Sequence, residues 1–377
     1  MVSCSGLLHT RLNSLTRRKV LELMKRPVCL LLASILLATG MLSGCSTEKQ
    51  SAPTSALSRF QGSFLDVFDT VTQVVVYAEN DAAAKEIVDE VHAELLTCHQ
   101  LFDIYNDYDG INNLKTINDH AGVSPVTVDE RILDLLEYAA EMDRATDGSM
   151  NVALGSVLRI WHNYREAGID DPEHAQLPPM EELEAASRHT SIDSLVIDRS
   201  AGTVYLSDPD MLLDVGAIAK GYAAQLVIDA LRKQGVENLL LSIGGNVCAI
   251  GGRADGTPWK VGIQSPDMQG YLCTVGMENL NLVTSGSYQR YYTVEGRTYH
   301  HIIDPATLMP ADHFVSVSVL CNDSGLADVL STALFVLPLA EGKALVKAQE
   351  GVEAMWLDTE GNTFYSDGFE QYILPDS

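Results

Sequence analysis

The sequence predicts an α+β fold, antiparallel sheets with packed helices, in one extended body from about residue 61 to 375. Three observations predict it. Strand-like and helical stretches do not alternate one for one, as a doubly wound parallel sheet requires. Strand signals crowd together near 259–263, 271–276, 280–285, 299–303 and 314–321. Hydrophobic residues make up 46% of 377, which allows a sizeable core.

The elements follow in order. Residues 71–78, VTQVVVYA, are β-branched and read as a strand. Residues 81–101 have helical spacing, with Ile87, Val91, Leu95 and Cys98 on one apolar stripe. A second helix is read over 126–148, with Asp129 as N-cap and Gly148 past its end. A third is read over 152–168, and the acidic, proline-bearing segment 169–190 as peripheral. Short strands are expected at 194–198 and 203–206. A helix from about 217 to 234 stops at Gly235, and NLLLSIGGNVCAIGG follows as a buried strand, a glycine turn and a second strand. SGLADVLSTALFVL, 324–337, is an apolar helix with Ser324 as its cap.

The first residues read as targeting, not fold. Lys25 and Arg26 precede an apolar run from Val28 to Met41, then Leu42-Ser43-Gly44-Cys45. A basic patch, a short apolar region and a small-residue cleavage site make a secretory signal over 1–44. The run is short for a transmembrane helix. Its L-S-G-C end resembles a bacterial lipoprotein signal, in which Cys45 carries the lipid; a plain signal peptide containing a cysteine is the alternative. Met24 offers a cleaner start than Met1, so residues 1–23 are read as lying ahead of the true start. Residues 45–60, rich in Ser, Thr, Ala and Pro, read as a flexible tether. The expected location is extracytoplasmic, on the cell membrane. The net charge of −26 repels anionic head groups, so acyl chains must do the anchoring. The same charge speaks against nucleic-acid binding, which needs a basic footprint. Cys98, Cys248, Cys273 and Cys321 lack C-x-x-C spacing, which speaks against zinc. An extracytoplasmic chain permits disulfides; buried free thiols are the other reading.

Five stretches bear chemistry. DVGAIAKGYA (214–223) has the wrong spacing for a P-loop, because Lys220 precedes Gly221 and no Ser or Thr follows. A helix beginning near Ala217 offers free N–H groups and a positive dipole end, and Lys220 adds a cation, so a diphosphate suits it. Alternatively, Lys220 is a solvated helix residue. SIGGNV (242–247) lets the backbone approach a ligand, or merely turns a corner. TSGSYQRYY (284–292) sets small polar residues before Tyr288 and Arg290. In HHIIDPATLMP (300–310), adjacent histidines on a strand point to opposite faces, so they do not share one metal. One is left to face a pocket and the other to serve the structure, while Asp304 before Pro305 is a turn residue. Asp328 and Thr332 lie four apart on one helix face, a hard-oxygen pair suited to Mg²⁺. The alternative is an Asp near the helix start and a Thr bonded to backbone.

In order and combination these stretches resemble the ApbE family, the FAD:protein FMN transferases, from about Phe68 to the last of these helices. FDTVTQVVVY, FDIYNDYDGINNLKTIN (102–118) and TDGSMNVALGSVLRIW (146–161) add to the likeness. The resemblance implies an ApbE-like, T-fold-related single catalytic domain over 61–375. It implies that Mg²⁺ helps split FAD between its phosphates, that FMN passes to a threonine hydroxyl on an acceptor flavoprotein, and that AMP leaves. Asp214 and Lys220 match FAD-contacting positions, and Ala217 matches a position whose carbonyl holds the metal. Asp328 and Thr332 match the side-chain metal ligands. Ile302 lies where the family lines the FAD site. Phe68 and Tyr105 match positions near flavin or adenine, and Ala153, Leu154 and Gly155 match a stretch touching FAD through backbone. His301 and Asp304 sit in the motif near the active site, either one a candidate to take the threonine proton. The family's lipoprotein members match Cys45. Two departures stand out: Leu308 replaces the usual glycine after DPAT, and DYDGIN lacks the usual Ser-Glu pair. Rival readings are an FAD pyrophosphatase giving FMN and AMP, a non-catalytic flavin-binding lipoprotein, and a transporter's binding lipoprotein, which requires two similar α/β lobes. No Ser-His-Asp triad and no acceptor-threonine motif are found, so the acceptor is expected to be another protein, a membrane redox subunit or an electron-transfer flavoprotein.

Overall fold

Strand β1 (Ser58–Val67) turns back through Phe68 and Asp69 into β2 (Thr70–Ala78), pairing Val67 with Thr70. The computed structural model describes residues 57–375. The signal segment, Cys45 and most of the tether lie outside the described residues. β1 nevertheless starts inside the stretch read as tether. Its alternating half-buried pattern, carried by Phe60 and Phe64, is diluted in sequence by Ser, Gln and Gly.

Helix α1 (Asp81–Phe102) follows, capped by the Asn80 side chain. Next come α2 (Leu114–Asp119), β3 (Val126–Thr127), α3 (Glu130–Ala145), α4 (Gly155–Asp170) and α5 (Met180–Ala186). β4 (Leu195–Asp198) and β5 (Thr203–Leu206) join β3 in a small sheet of order β3-β5-β4. Helix α6 (Ala219–Lys233) leads into the hairpin β6 (Leu239–Ile243) and β7 (Asn246–Ile250). β8 (Trp259–Gln264) and β9 (Tyr271–Met277) form a second hairpin, followed by β10 (Asn281–Gly286) and a third hairpin, β11 (Tyr291–Val294) with β12 (Arg297–His300). β13 (Phe314–Cys321), α7 (Ser324–Val336), α8 (Leu339–Lys347), β14 (Glu353–Asp358) and β15 (Thr363–Tyr365) complete the order.

The main sheet has eight strands in the order β1-β2-β6-β7-β10-β13-β14-β15, each neighbour pair antiparallel. Both its faces are covered, which is why Val74, Val75 and Val76 form an unbroken apolar run. Val74 and Val76 pack with Val91, Leu95 and Cys98 of α1 and with Ala223, Val227 and Ile228 of α6. Val75 points the other way, into a cluster with Trp259, Ile263, Val275 and Phe369.

Several boundaries differ from the sequence reading. The second predicted helix begins at Glu130, and Val126–Thr127 before it is a strand. The cap of α7 is Asp323, whose side chain accepts from the Leu326 N–H at 2.8 Å; Ser324 is already helical. The strand expected over 299–303 stops at His300. All four cysteines among the described residues are free thiols, three of them buried.

Candidate active site

One cavity of about 920 Å³ gathers residues from the β1–β2 turn, α4, the loop before α6, the β6–β7 hairpin, β10 and α7. Phe68, Tyr105, Leu154, Asp214, Ala217, Lys220, His301, Ile302, Asp328 and Thr332 all line it. Ala153, Gly155 and Asp304 do not.

The central contact joins two segments more than a hundred residues apart. The Gly221 N–H donates to Asp328 Oδ2 at 2.7 Å, and Lys220 Nζ lies 4.0 Å from Asp328 Oδ1. Gly221 is needed because α6 and α7 approach too closely for a side chain: an added Cβ would meet the Ser324 carbonyl oxygen at 2.2 Å and Asp328 Cβ at 2.5 Å. Asp328 is 4% exposed. Burial pushes its carboxyl above the ordinary carboxylate pKa, against the pull of Lys220, the Gly221 N–H and Asn246.

The loop differs from the expected phosphate cradle. The helix starts at Ala219, and its early N–H groups are mostly committed. Gly216 N–H donates to Asp214 Oδ1 at 2.8 Å, Ile218 and Ala219 both donate to the Val215 carbonyl, and Gly221 donates to Asp328. In a helix carried back to 217, the Gly221 N–H would serve the Ala217 carbonyl. Its diversion to Asp328 leaves that carbonyl, among the described residues, with no backbone N–H partner. The loop is built to present oxygen and the Lys220 ammonium more than bare N–H groups.

Ala153 and Gly155 are buttresses. They flank Leu154, which bridges Leu212, while Asp214 N–H donates to the Val152 carbonyl at 2.8 Å. This fixes Asp214 at the cavity wall. Burial raises the Asp214 pKa, with Arg159, His162 and Arg165 opposing.

The two histidines separate as their adjacency suggests. His300 Nε2–H donates to the Ala311 carbonyl at 2.8 Å and its Nδ1 accepts from the Ile302 N–H at 3.2 Å, so both nitrogens serve the structure. His301 lines the cavity. Its Nδ1–H donates to the Arg290 carbonyl at 3.2 Å, which leaves Nε2 with its lone pair. Burial, then the Arg290 charge and His300, push its pKa down to about 3. Asp304 is spent on its turn: Oδ1 accepts from the Ala306 N–H at 2.8 Å and Oδ2 from the Thr307 hydroxyl at 2.9 Å. Leu308, in the glycine position, takes a left-handed φ of 61°. It is held there by its buried side chain and by Trp161 Nε1–H, which donates to its carbonyl at 2.9 Å.

The aromatic wall has its own scaffold. Phe68 and Asp69 both adopt positive φ, 52° and 50°, in the two-residue turn. Phe68 N–H donates to His99 Nδ1 at 3.2 Å; the other His99 nitrogen faces the Tyr108 hydroxyl, which donates to Asp103 Oδ2 at 2.7 Å. Asp103 also accepts from the Tyr105 and Asn106 N–H groups, fixing the loop that holds Tyr105 at the mouth. Tyr105 is 49% exposed, with Arg159 5.6 Å from its ring and His162 at 5.2 Å.

Sequence reasoning missed the His99–Tyr108–Asp103 chain, Arg165 and Asn246. Leu154, which caps α4, and Leu158, Trp161 and Arg165 within it recur at helical spacing and all line the cavity, so that stripe was a usable signal. In a chain of net charge −26, the cavity sets Lys220, Arg165 and Arg290 among the carboxylates of Asp69, Asp103, Asp214 and Asp328, a lining with cations for an anionic ligand and oxygen donors for a cation.

Comparison with known proteins yields one family. The model described as ApbE family matches residues 68–356. A protein of Klebsiella pneumoniae named FAD:protein FMN transferase is 33% identical over 265 residues, 68% of this chain and 80% of that one. One of Treponema pallidum with the same name is 32% identical over 311 residues, 77% of this chain and 82% of that one. The crystal structure of the ApbE protein from Thermotoga maritima superposes with a TM-score of 0.73 at 26% identity, covering 84% of this chain and 100% of that one. The apo form of Pseudomonas stutzeri flavinyl transferase ApbE gives 0.70 at 27% identity, covering 85% and 98%.

Proposed function

This chain belongs to the ApbE family and is a transferase, and we propose that it moves the FMN half of FAD onto a threonine hydroxyl of a separate acceptor flavoprotein, in a Mg²⁺-dependent reaction that releases AMP. The observation that carries this reading is the Gly221–Asp328 contact, which sets the 214–220 loop and the Asp328–Thr332 face of α7 on one cavity.

The donor set suits Mg²⁺. Asp328 offers a buried carboxylate whose Oδ1 lies 4.0 Å from the Lys220 ammonium. Thr332 offers a hydroxyl one turn on, and Ala217 a carbonyl without a helical partner. Hard oxygen donors of this kind would hold the ion. Bound there, it would neutralise phosphate oxygens as negative charge grows on the departing AMP.

The protein's own groups do the rest. Lys220, Arg165 and Arg290 hold the anionic dinucleotide in the cavity. Phe68 and Tyr105 supply flat apolar surface for a ring system. The acceptor threonine Oγ forms a bond to the phosphorus on the FMN side, the bond from that phosphorus to the bridging oxygen breaks, and the oxygen leaves with AMP. We assign the threonine proton to His301 Nε2, a base weakened by burial and by the Arg290 charge, which the negative charge of a bound dinucleotide would offset. Asp304 acts through the turn that carries His301 and Ile302. The same proposal includes a lipid at Cys45 and an extracytoplasmic location; Cys45→Ala should then move the protein from the membrane to the soluble fraction.

The test incubates residues 46–377 with FAD, Mg²⁺ and a candidate acceptor, then weighs the acceptor by mass spectrometry. An acceptor heavier by one FMN, with AMP released in equal amount, is expected. FMN and AMP released with the acceptor unmodified would refute transfer in favour of hydrolysis.

A further inference from the structure

The SIGGNV stretch has no part in the reading so far, yet it ends on a residue that the structure leaves unexplained. Asn246 is 2% exposed and lines the cavity. Its Nδ2 is fully buried and, among the described residues, has no hydrogen-bond partner. A buried donor without a partner is costly and rare, about 1–3 kcal/mol in general. It persists where the surroundings fix it and a later state uses it.

The surroundings do fix it. The hairpin turn at Gly244 and Gly245 takes positive φ at both positions. It is pressed so closely on Thr70 that a Cβ on Gly244 would lie 2.3 Å from Thr70 Oγ1. Immediately after it, Asn246 is paired on both sides, with Ile243 in β6 and with Val283 in β10. The backbone cannot move to find Nδ2 a partner. The side chain sits beside Asp328, near enough for its amide to favour the ionised carboxyl, though no hydrogen bond of normal geometry closes. The other neighbours of that carboxylate are the Gly221 N–H on Oδ2 and the Lys220 ammonium near Oδ1.

We propose that Asn246 is a positioning residue for Asp328: its carboxamide, idle without an ion, closes on the carboxylate and holds it in place once a divalent cation is bound. This rests on the reading of Asp328 as a cation ligand. Groups that orient a ligand from behind typically set metal affinity by tenfold to a hundredfold.

The experiment titrates Mn²⁺ into the FAD-free protein, wild type against Asn246→Leu and Asn246→Ala, reading bound Mn²⁺ by electron paramagnetic resonance and folding by circular dichroism melts. Leu keeps the volume and removes the donor; Ala cannot clash. Both variants are expected to weaken Mn²⁺ binding at least tenfold. The ion-free melting point of Asn246→Leu should change little, because Nδ2 closes no hydrogen bond of normal geometry among the described residues. The KM for FAD at saturating Mg²⁺ should stay within twofold of wild type. A folded variant that binds Mn²⁺ within twofold of wild type overturns the proposal. So does failure of both variants to fold, which would make Asn246 a structural residue. A wild type that binds no Mn²⁺ refutes the cation reading of Asp328 itself.

Discussion

Asp328→Asn should stabilise the ion-free protein and abolish flavin transfer. Asp328 is 4% exposed, and its carboxyl is raised above the ordinary pKa by burial, which outweighs Lys220, the Gly221 N–H and Asn246. A carboxyl raised in this way favours the folded state while protonated, and that stability is lost as pH climbs through the folded pKa. At pH 7 the carboxylate is therefore a net cost to folding, every tenfold change in proton affinity being worth about 1.4 kcal/mol. An asparagine keeps an oxygen for the Gly221 N–H, at 2.7 Å in the native chain, and sheds the charge. The attraction to Lys220 at 4.0 Å is lost at the same time, so the net gain should be modest, each ~1 kcal/mol of it raising the melting point by about 2 °C in a domain of this size. The assay is a series of calorimetric melts in chelator at falling pH, along which the two proteins should draw together as the native carboxyl takes its proton. Repeated with Mg²⁺ at a hundredfold over its Kd, the wild type should gain about 2.7 kcal/mol and the variant nothing. An ion-free variant that melts below wild type at pH 7 would refute the reasoning, since it would mean that the carboxylate is already satisfied by the protein.

Gly221→Ala should push α6 and α7 apart, because the new Cβ meets backbone at 2.2 Å; a loss of about 1–3 kcal/mol is expected in a urea midpoint, with a rise in the Mg²⁺ needed for half-maximal rate. Thr332→Val keeps the shape of a residue on the cavity wall, so the melt should move by less than about 1 kcal/mol while Mg²⁺ dependence weakens about tenfold. Trp161→Phe removes the 2.9 Å bond to the Leu308 carbonyl and should cost about 1–3 kcal/mol in denaturant unfolding, leaving a buried acceptor unpaired. His301, with its pKa pushed down to about 3, should stay neutral from pH 8 to 5. His301→Gln should then lower kcat by about a hundredfold at every pH in that window; a ring that titrates near 6.5 by NMR would contradict this.

The fold was legible where each strand or helix carries its own signal. The α1 stripe of Val91, Leu95 and Cys98 packs as its spacing predicts. β1 was not legible, because its ladder with β2 runs through Ser, Gln and Gly, residues that compose a linker equally well. β3, two residues long, exists only through its pairing with β5. In the site, Asp328 and Thr332 could be paired from their spacing alone. Which group faces Asp328 could not, since the Gly221 contact spans 107 residues. His300 and His301 were separable by strand alternation, but the strand stops at His300, and it is the Arg290 carbonyl that sets the tautomer of His301. Asp304 shows the opposite failure: the family motif marks it as chemical, and the hydrogen bonds give it to the turn, as the Asp-Pro pair alone implied.

The polar groups around α7 then have a common logic. A fully buried Asn246 Nδ2 with no partner among the described residues and a buried Asp328 carboxylate with one N–H bond both weigh against folding. The first would be relieved by an apolar side chain of similar volume, the second by an asparagine that still accepts from the Gly221 N–H. Both are instead clamped in place: by the turn with positive φ at Gly244 and Gly245, and by helices too close at Gly221 for any side chain. On the proposed reading a bound cation would take the carboxylate as a ligand, and the carboxylate so fixed would accept from the Asn246 amide. The double variant Asn246→Leu with Asp328→Asn, which keeps an oxygen for the Gly221 N–H, should therefore raise the ion-free melting point while erasing its response to Mg²⁺. If the double variant melts lower than wild type, the cluster is structural, and the account of α7 as the cation-binding face fails with it.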